Sequence, residues 1–168
     1  MRLIQTFLFL LSVHTATAQT IGSTLDQDPV FTTVLLRRVY YPADAERLGI
    51  YAKIYAGFNI DQKGHVQNIS VLNPKKIGYG FEEEVIKKIR LLPPLNSKYE
   101  GSYALPITFA FVDYSNGSKE VSPTGSLPIQ YISNRTLLNE LRILGGRTLK
   151  QKGIMTPQSN GQVLTTDQ

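Results

Sequence analysis

The sequence of 168 residues contains no cysteine. That excludes a disulfide framework, which an oxidising compartment permits but does not require. It also excludes a lipid-bearing cysteine behind a leader, so a lipoprotein is not expected. Histidine is scarce: beyond His14, near the N-terminus, there is only His65. With so few soft or imidazole donors, a zinc site would need an unusual all-carboxylate ligand set. No metal and no cofactor are expected. The chain has neither a GxSxG elbow nor a glycine-rich phosphate loop with its lysine. No catalytic residue is assigned, and an enzyme is not expected. No apolar run reaches the roughly 20 residues that span a bilayer.

The N-terminus has the make-up of a secretory leader. Arg2 supplies the positive end, Leu3 to Val13 is a short apolar run, and Ala16-Thr17-Ala18 is a small-x-small cleavage site. This pattern predicts a signal peptide over residues 1–18, with Gln19 as the mature N-terminus and the periplasm as destination. About 150 residues remain, enough for one domain with a modest core. The formal net charge is +5, or +4 without Arg2, spread along the chain with a loose cluster at Arg142, Arg147, Lys150 and Lys152. Tyr51, Lys53 and Tyr55 interleave like a nucleic-acid platform. For an exported chain, the β-propensity of tyrosine explains them better, and no nucleic-acid partner is expected.

Residues 19–38 read as a lead-in segment, polar and without clear period from Gln19 to Thr33. Pro42, set at a first helical turn, and Gly49, a natural stop, bracket a short helix. From Ile50 to Ile60 apolar and polar residues alternate, the pattern of a strand with one buried face. Asp61 to Gly64 form a turn, and Val66 to Leu72 return with a mid-strand change of parity that predicts a bulge. Phe81, Val85, Ile86 and Ile89 make a helical apolar stripe. Glu82–Glu84 at its start and Lys87, Lys88 and Arg90 at its end match the helix dipole. Ser102 to Val112 alternate again. Pro106 cannot donate to a ladder, which argues for an edge strand there. The expected fold is α+β: two short helices on one face of a three-stranded antiparallel sheet. Phe81, Ile89, Ile54 and Phe58 are the expected centre of the core. Residues 113–168 read as linker, a capped helix over 133–144, and a polar tail from Gly153 expected to be disordered.

Three stretches carry a family resemblance: YPADAERLGIYAKIYAGFNIDQKGHVQNISVL, GFEEEVIKKIRLLPPL and YALPITFAF. In order and spacing they resemble the C-terminal domain of TonB-type energy transducers, over residues 39–112. The resemblance implies a periplasmic domain that grips a segment of a TonB-dependent outer-membrane receptor by adding it as a strand. The partner-binding residues so implied are Leu105, Pro106, Ile107, Thr108 and Phe109 on the gripping edge, with Tyr41 and Pro42 beside the bound segment. For Tyr40 and Tyr41, core packing and partner contact weigh equally. The alternative function is an envelope structural module that uses the same edge to form a homodimer.

Overall fold

A computed structural model of the chain describes residues 24–114 and 117–147. The expected leader and the polar C-terminal tail lie outside the described residues. The architecture is α+β, as expected. Among the described residues, however, the sheet is a mixed one of six strands, and there are three α-helices rather than two.

The first helix, α1 (Pro29–Arg38), lies within the expected lead-in. Asp28 caps it, its Oδ1 accepting from the N–H groups of Val30 and Phe31 at 2.9 and 3.0 Å. Pro29 takes a first-turn position where no N–H is needed. Phe31 and Leu35, one turn apart, are buried, and the Phe31 ring lies 6.1 Å from that of Phe58. Val30, Phe31, Val34 and Leu35 fall at helical spacing after a helix-start signal at Asp28-Pro29, so this helix was legible in the sequence although the polar residues around it masked the stripe. The second helix, α2 (Ala43–Leu48), ends on Gly49 in the left-handed region, φ 69°.

Strand β1 (Ala52–Ile60) pairs antiparallel with β2 (Val66–Val71) through the expected bulge. The register passes from Gly57↔Ser70 to Asn59↔Gln67, and Asn68 takes up the extra residue at φ 51°. Helix α3 (Phe81–Arg90) packs its stripe onto the sheet. Its first turn ties down the preceding loop: the Glu82 carboxylate accepts from the Ile77 and Gly78 N–H groups. Phe81, Ile89, Ile54 and Phe58 are fully buried, so the expected centre of the core is where the stripes put it.

Strand β3 (Gly101–Asp113) pairs antiparallel with β1 from Ile60↔Gly101 to Ala52↔Phe109. It is not an edge. Beyond β4 (Lys119–Val121), the chain returns as β5 (Thr136–Leu137) and β6 (Leu141–Arg147), both parallel to β3. Residues 107–109 pair with both β1 and β6, and 111–113 with both β4 and β6. A strand has two sides, so β6 lies opposite β1 and β4. The proline fits because this second line is interrupted: β5 ends opposite Ala104 and β6 begins opposite Ile107. Pro106 falls in the gap.

The helix expected over 133–144 is therefore strand. Leu137, Leu138, Leu141 and Leu144 do share a helical face, but Leu141, Ile143 and Gly145 also alternate. An unpaired β3 edge supplies the tertiary pairing that decides a locally ambiguous run. On the way to β5, the chain crosses the sheet's second face. The buried Leu127 N–H donates to the Tyr55 hydroxyl at 3.1 Å, and Tyr55 is itself buried.

Asn73 closes the short stretch of β1 that β2 leaves uncovered. Its Oδ1 accepts from the Tyr55 N–H at 2.8 Å and its amide donates to the Lys53 carbonyl at 2.9 Å. Removing both partners strands two half-buried backbone groups. Asn73→Ala is expected to cost about 1–3 kcal/mol in urea unfolding. An unchanged midpoint would mean that water replaces the amide without penalty.

Candidate functional site

The residues singled out from sequence converge on one side of β3. Leu105, Ile107 and Phe109 point to the helix face and are buried, while Thr108 is buried on the other face. What they can offer a strand is therefore their backbone, and in this structure β6 pairs there from Ile107↔Leu141 to Asp113↔Arg147.

Tyr41 stands at the end of this edge. Its hydroxyl donates to the Ile50 carbonyl at 2.6 Å. Its ring meets Phe81, Phe109 and Phe111 edge-on, with centroids 5.8, 5.6 and 6.4 Å away. Burial, with Glu46 adding to it, pushes the phenol up to about 12. It thus remains a neutral donor at physiological pH. Pro42 starts α2 and rests 3.4 Å from the position a Gly80 Cβ would take. Its carbonyl accepts from the Glu46 N–H, which fixes α2 beside the edge. Tyr40 points away: it is 62% exposed, with the Lys88 ammonium 4.7 Å from its ring centre. The two adjacent tyrosines divide the roles left open by sequence, Tyr41 packing and Tyr40 facing solvent.

Sequence reasoning missed the groups that hold β6. The Gly146 N–H donates to the Glu46 carboxylate at 3.0 Å, and the Asn139 N–H to Asp26 at 2.9 Å. Lys53 and Glu140 form an ion pair, as do Arg142 and Glu120. Partial burial pulls the Lys53 ammonium down, but Glu140 outweighs it and holds Lys53 above its ordinary value. The same bond holds Glu140 below the usual carboxylate range. Arg135 donates to the Tyr103 carbonyl and lies over Gly57, where a Cβ would sit 3.2 Å from its guanidinium carbon. The Gly-Gly pair ending an apolar run was the one signal available in sequence for this arrangement.

Among the described residues, no group of three or more His, Asp or Glu side chains could hold a metal ion. No helix among them is long and apolar enough to cross a membrane. Two other sheet margins are poor templates for an added strand. Asn73 occupies one, and the bulge at Asn68 distorts β2. Bulges are a common way to blunt an edge.

A family model described as the C-terminal region of Gram-negative bacterial TonB protein matches residues 37–111. No curated protein and no solved structure matches the chain. The matched stretch takes in Tyr41-Pro42, the β1–β2 hairpin, α3 and most of β3, and stops before β4, β5 and β6. Domains of this family are periplasmic and non-catalytic and bind TonB-dependent receptors. Residues 37–111 of this chain belong to the TonB C-terminal domain family, which implies a role in TonB-dependent transport.

Proposed function

We propose that the chain is an exported periplasmic module that binds a segment of a TonB-dependent outer-membrane receptor by strand addition. The added strand runs along the backbone of Leu105, Pro106, Ile107, Thr108 and Phe109, with Tyr41 and Pro42 flanking it. The observation that carries this reading is β6: an extended segment already occupies that side of β3, in parallel, beside Tyr41. Main-chain bonds supply affinity in such complexes, and flanking side chains supply selection.

A second reading has an observation of its own. β6 reaches β3 through a long connection, residues 114–140, so the same strand could fill the edge of a second copy. That would make a homodimeric envelope scaffold. The two readings part in one experiment on the whole mature chain. Synthetic receptor segments are titrated in while backbone amide signals are followed by NMR, with solution mass measured alongside. Strand addition predicts changes along β3 residues 105–113 and β6, with no doubling of mass. If no segment binds and the mass doubles with concentration, the edge serves self-association.

A further inference from the structure

We propose that β5 and β6 form an exchangeable strap, an intramolecular ligand of the β3 edge, and that Tyr41 dictates a glycine opposite Phe111 in any strand replacing it. The inference deepens the strand-addition reading and rests on it only for the identity of the outside strand.

The register places Gly145 opposite Phe111. A Cβ at Gly145 would lie 2.4 Å from Tyr41 Cδ2 and 2.6 Å from its Cγ. Separations below about 3 Å force something to move, and overpacking of this kind is destabilising. Tyr41 is poorly placed to yield. The contact involves the base of the ring as well as its rim, three phenylalanine rings flank it, and its hydroxyl is tied to Ile50. Gly146 offers the contrast. A Cβ there would meet the rim of the Tyr114 ring at 2.5 Å, but Tyr114 is 55% exposed and can swing aside, and the one backbone atom near it, the Val112 carbonyl oxygen, is 3.3 Å away and needs to give only a few tenths of an ångström. Of two adjacent glycines, one is gauged by a fixed ring and the other is not.

The strap is also built to come away. Its backbone is weakened by two glycines in a strand. Its ion pairs, Lys53–Glu140 and Arg142–Glu120, keep part of each side chain in solvent, where such pairs contribute little. By contrast, β1 pairs with β3 along its full length through buried residues. The weaker of the two flanks of β3 is the one made by the chain's own extension.

The probe is a synthetic peptide with the sequence of residues 136–147, TLLNELRILGGR, added to the full chain. Gly145→Ala should expel the strap, exposing β3 amides on that side to hydrogen exchange. The peptide should then bind at least about tenfold tighter than to the parent, since apparent affinity follows the fraction of open molecules. Gly146→Ala should change exchange and binding far less than Gly145→Ala does. A peptide with alanine in place of the first glycine should bind none of the three. Unchanged exchange in Gly145→Ala, or equal binding of the alanine peptide, would overturn the proposal. Should Gly145→Ala fail to fold, the parent decides: β3 amides bonded to β6 must exchange faster than those bonded to β1, by a partial opening. Exchange of both sets only through global unfolding would rule the strap out. If the strap opens and takes its own peptide but no receptor segment, this inference stands and the receptor reading fails.

Discussion

Phe81→Ala is expected to lower stability by about 3–5 kcal/mol, the usual range for truncating a buried aromatic. Phe81 opens α3 and is fully buried. Its ring centre lies 4.8 Å from that of Phe109 in β3 and 5.8 Å from that of Tyr41. The substitution therefore loses burial, leaves a cavity between helix and sheet, and removes two ring contacts that each add about 0.5–1.5 kcal/mol beyond area. Small domains hold only about 5–15 kcal/mol in total. The thermal midpoint should fall by about 10 °C or more. Calorimetry on parent and variant decides the matter. A midpoint within a degree or two of the parent would mean that α3 does not anchor the core.

The second large effect is expected at a turn that carries no binding role. Gly64 sits at φ 81°, and a Cβ there would lie 1.8 Å from the Leu95 carbonyl oxygen. That obstacle is backbone and cannot rotate away. The Gly64 carbonyl accepts from the Leu95 N–H at 2.9 Å, so the hairpin tip and the chain after α3 are locked together. Asp61 shapes the tip, its Oδ1 accepting from Lys63 and His65 N–H groups, each at 2.8 Å. Gly64→Ala incurs left-handed strain of about 1–2 kcal/mol and overpacking of about 1–3 kcal/mol. Losing the bond to Leu95 adds about 1 kcal/mol. A net loss of about 3–6 kcal/mol in urea unfolding is expected, whereas Lys63→Ala, at an exposed site, should stay within about 0.5 kcal/mol of the parent. Equal midpoints for the two variants would refute the account.

What could be read from sequence was what local pattern alone determines. The alternation from Ile50 to Ile60, the stripe from Phe81 to Ile89, the parity change in β2 and the stop at Gly49 each need only near neighbours along the chain. Those elements stand as read. The sheet's far side did not yield to the same reasoning, because Leu137 to Leu144 satisfies both helical and strand periods. Only the unpaired β3 edge, some 34 positions away at Ile107↔Leu141, breaks the tie. Pro106 pointed toward an edge because its missing donor is a fact of sequence, whereas the gap between β5 and β6 that accommodates it is a fact of tertiary structure. Tyr41-Pro42 and Leu105–Phe109 entered the candidate site through the family resemblance. The site's Gly145, Glu46 and Tyr114 components became visible only once distant segments were set side by side.

Because the strand that fills the β3 edge belongs to the same molecule, its local supply is fixed by a tether and not by expression. A tethered segment that can reach its site is presented there at up to about millimolar effective concentration. A free segment of equal intrinsic strength, present at about one micromolar, would hold the edge in roughly one molecule per thousand. Abundance in solution is thus a poor way to win the site. A segment fixed on a surface close by, presented at a comparable local density, competes on level terms. An arrangement of this kind responds to nearness and is deaf to dilute look-alikes diffusing through the same compartment.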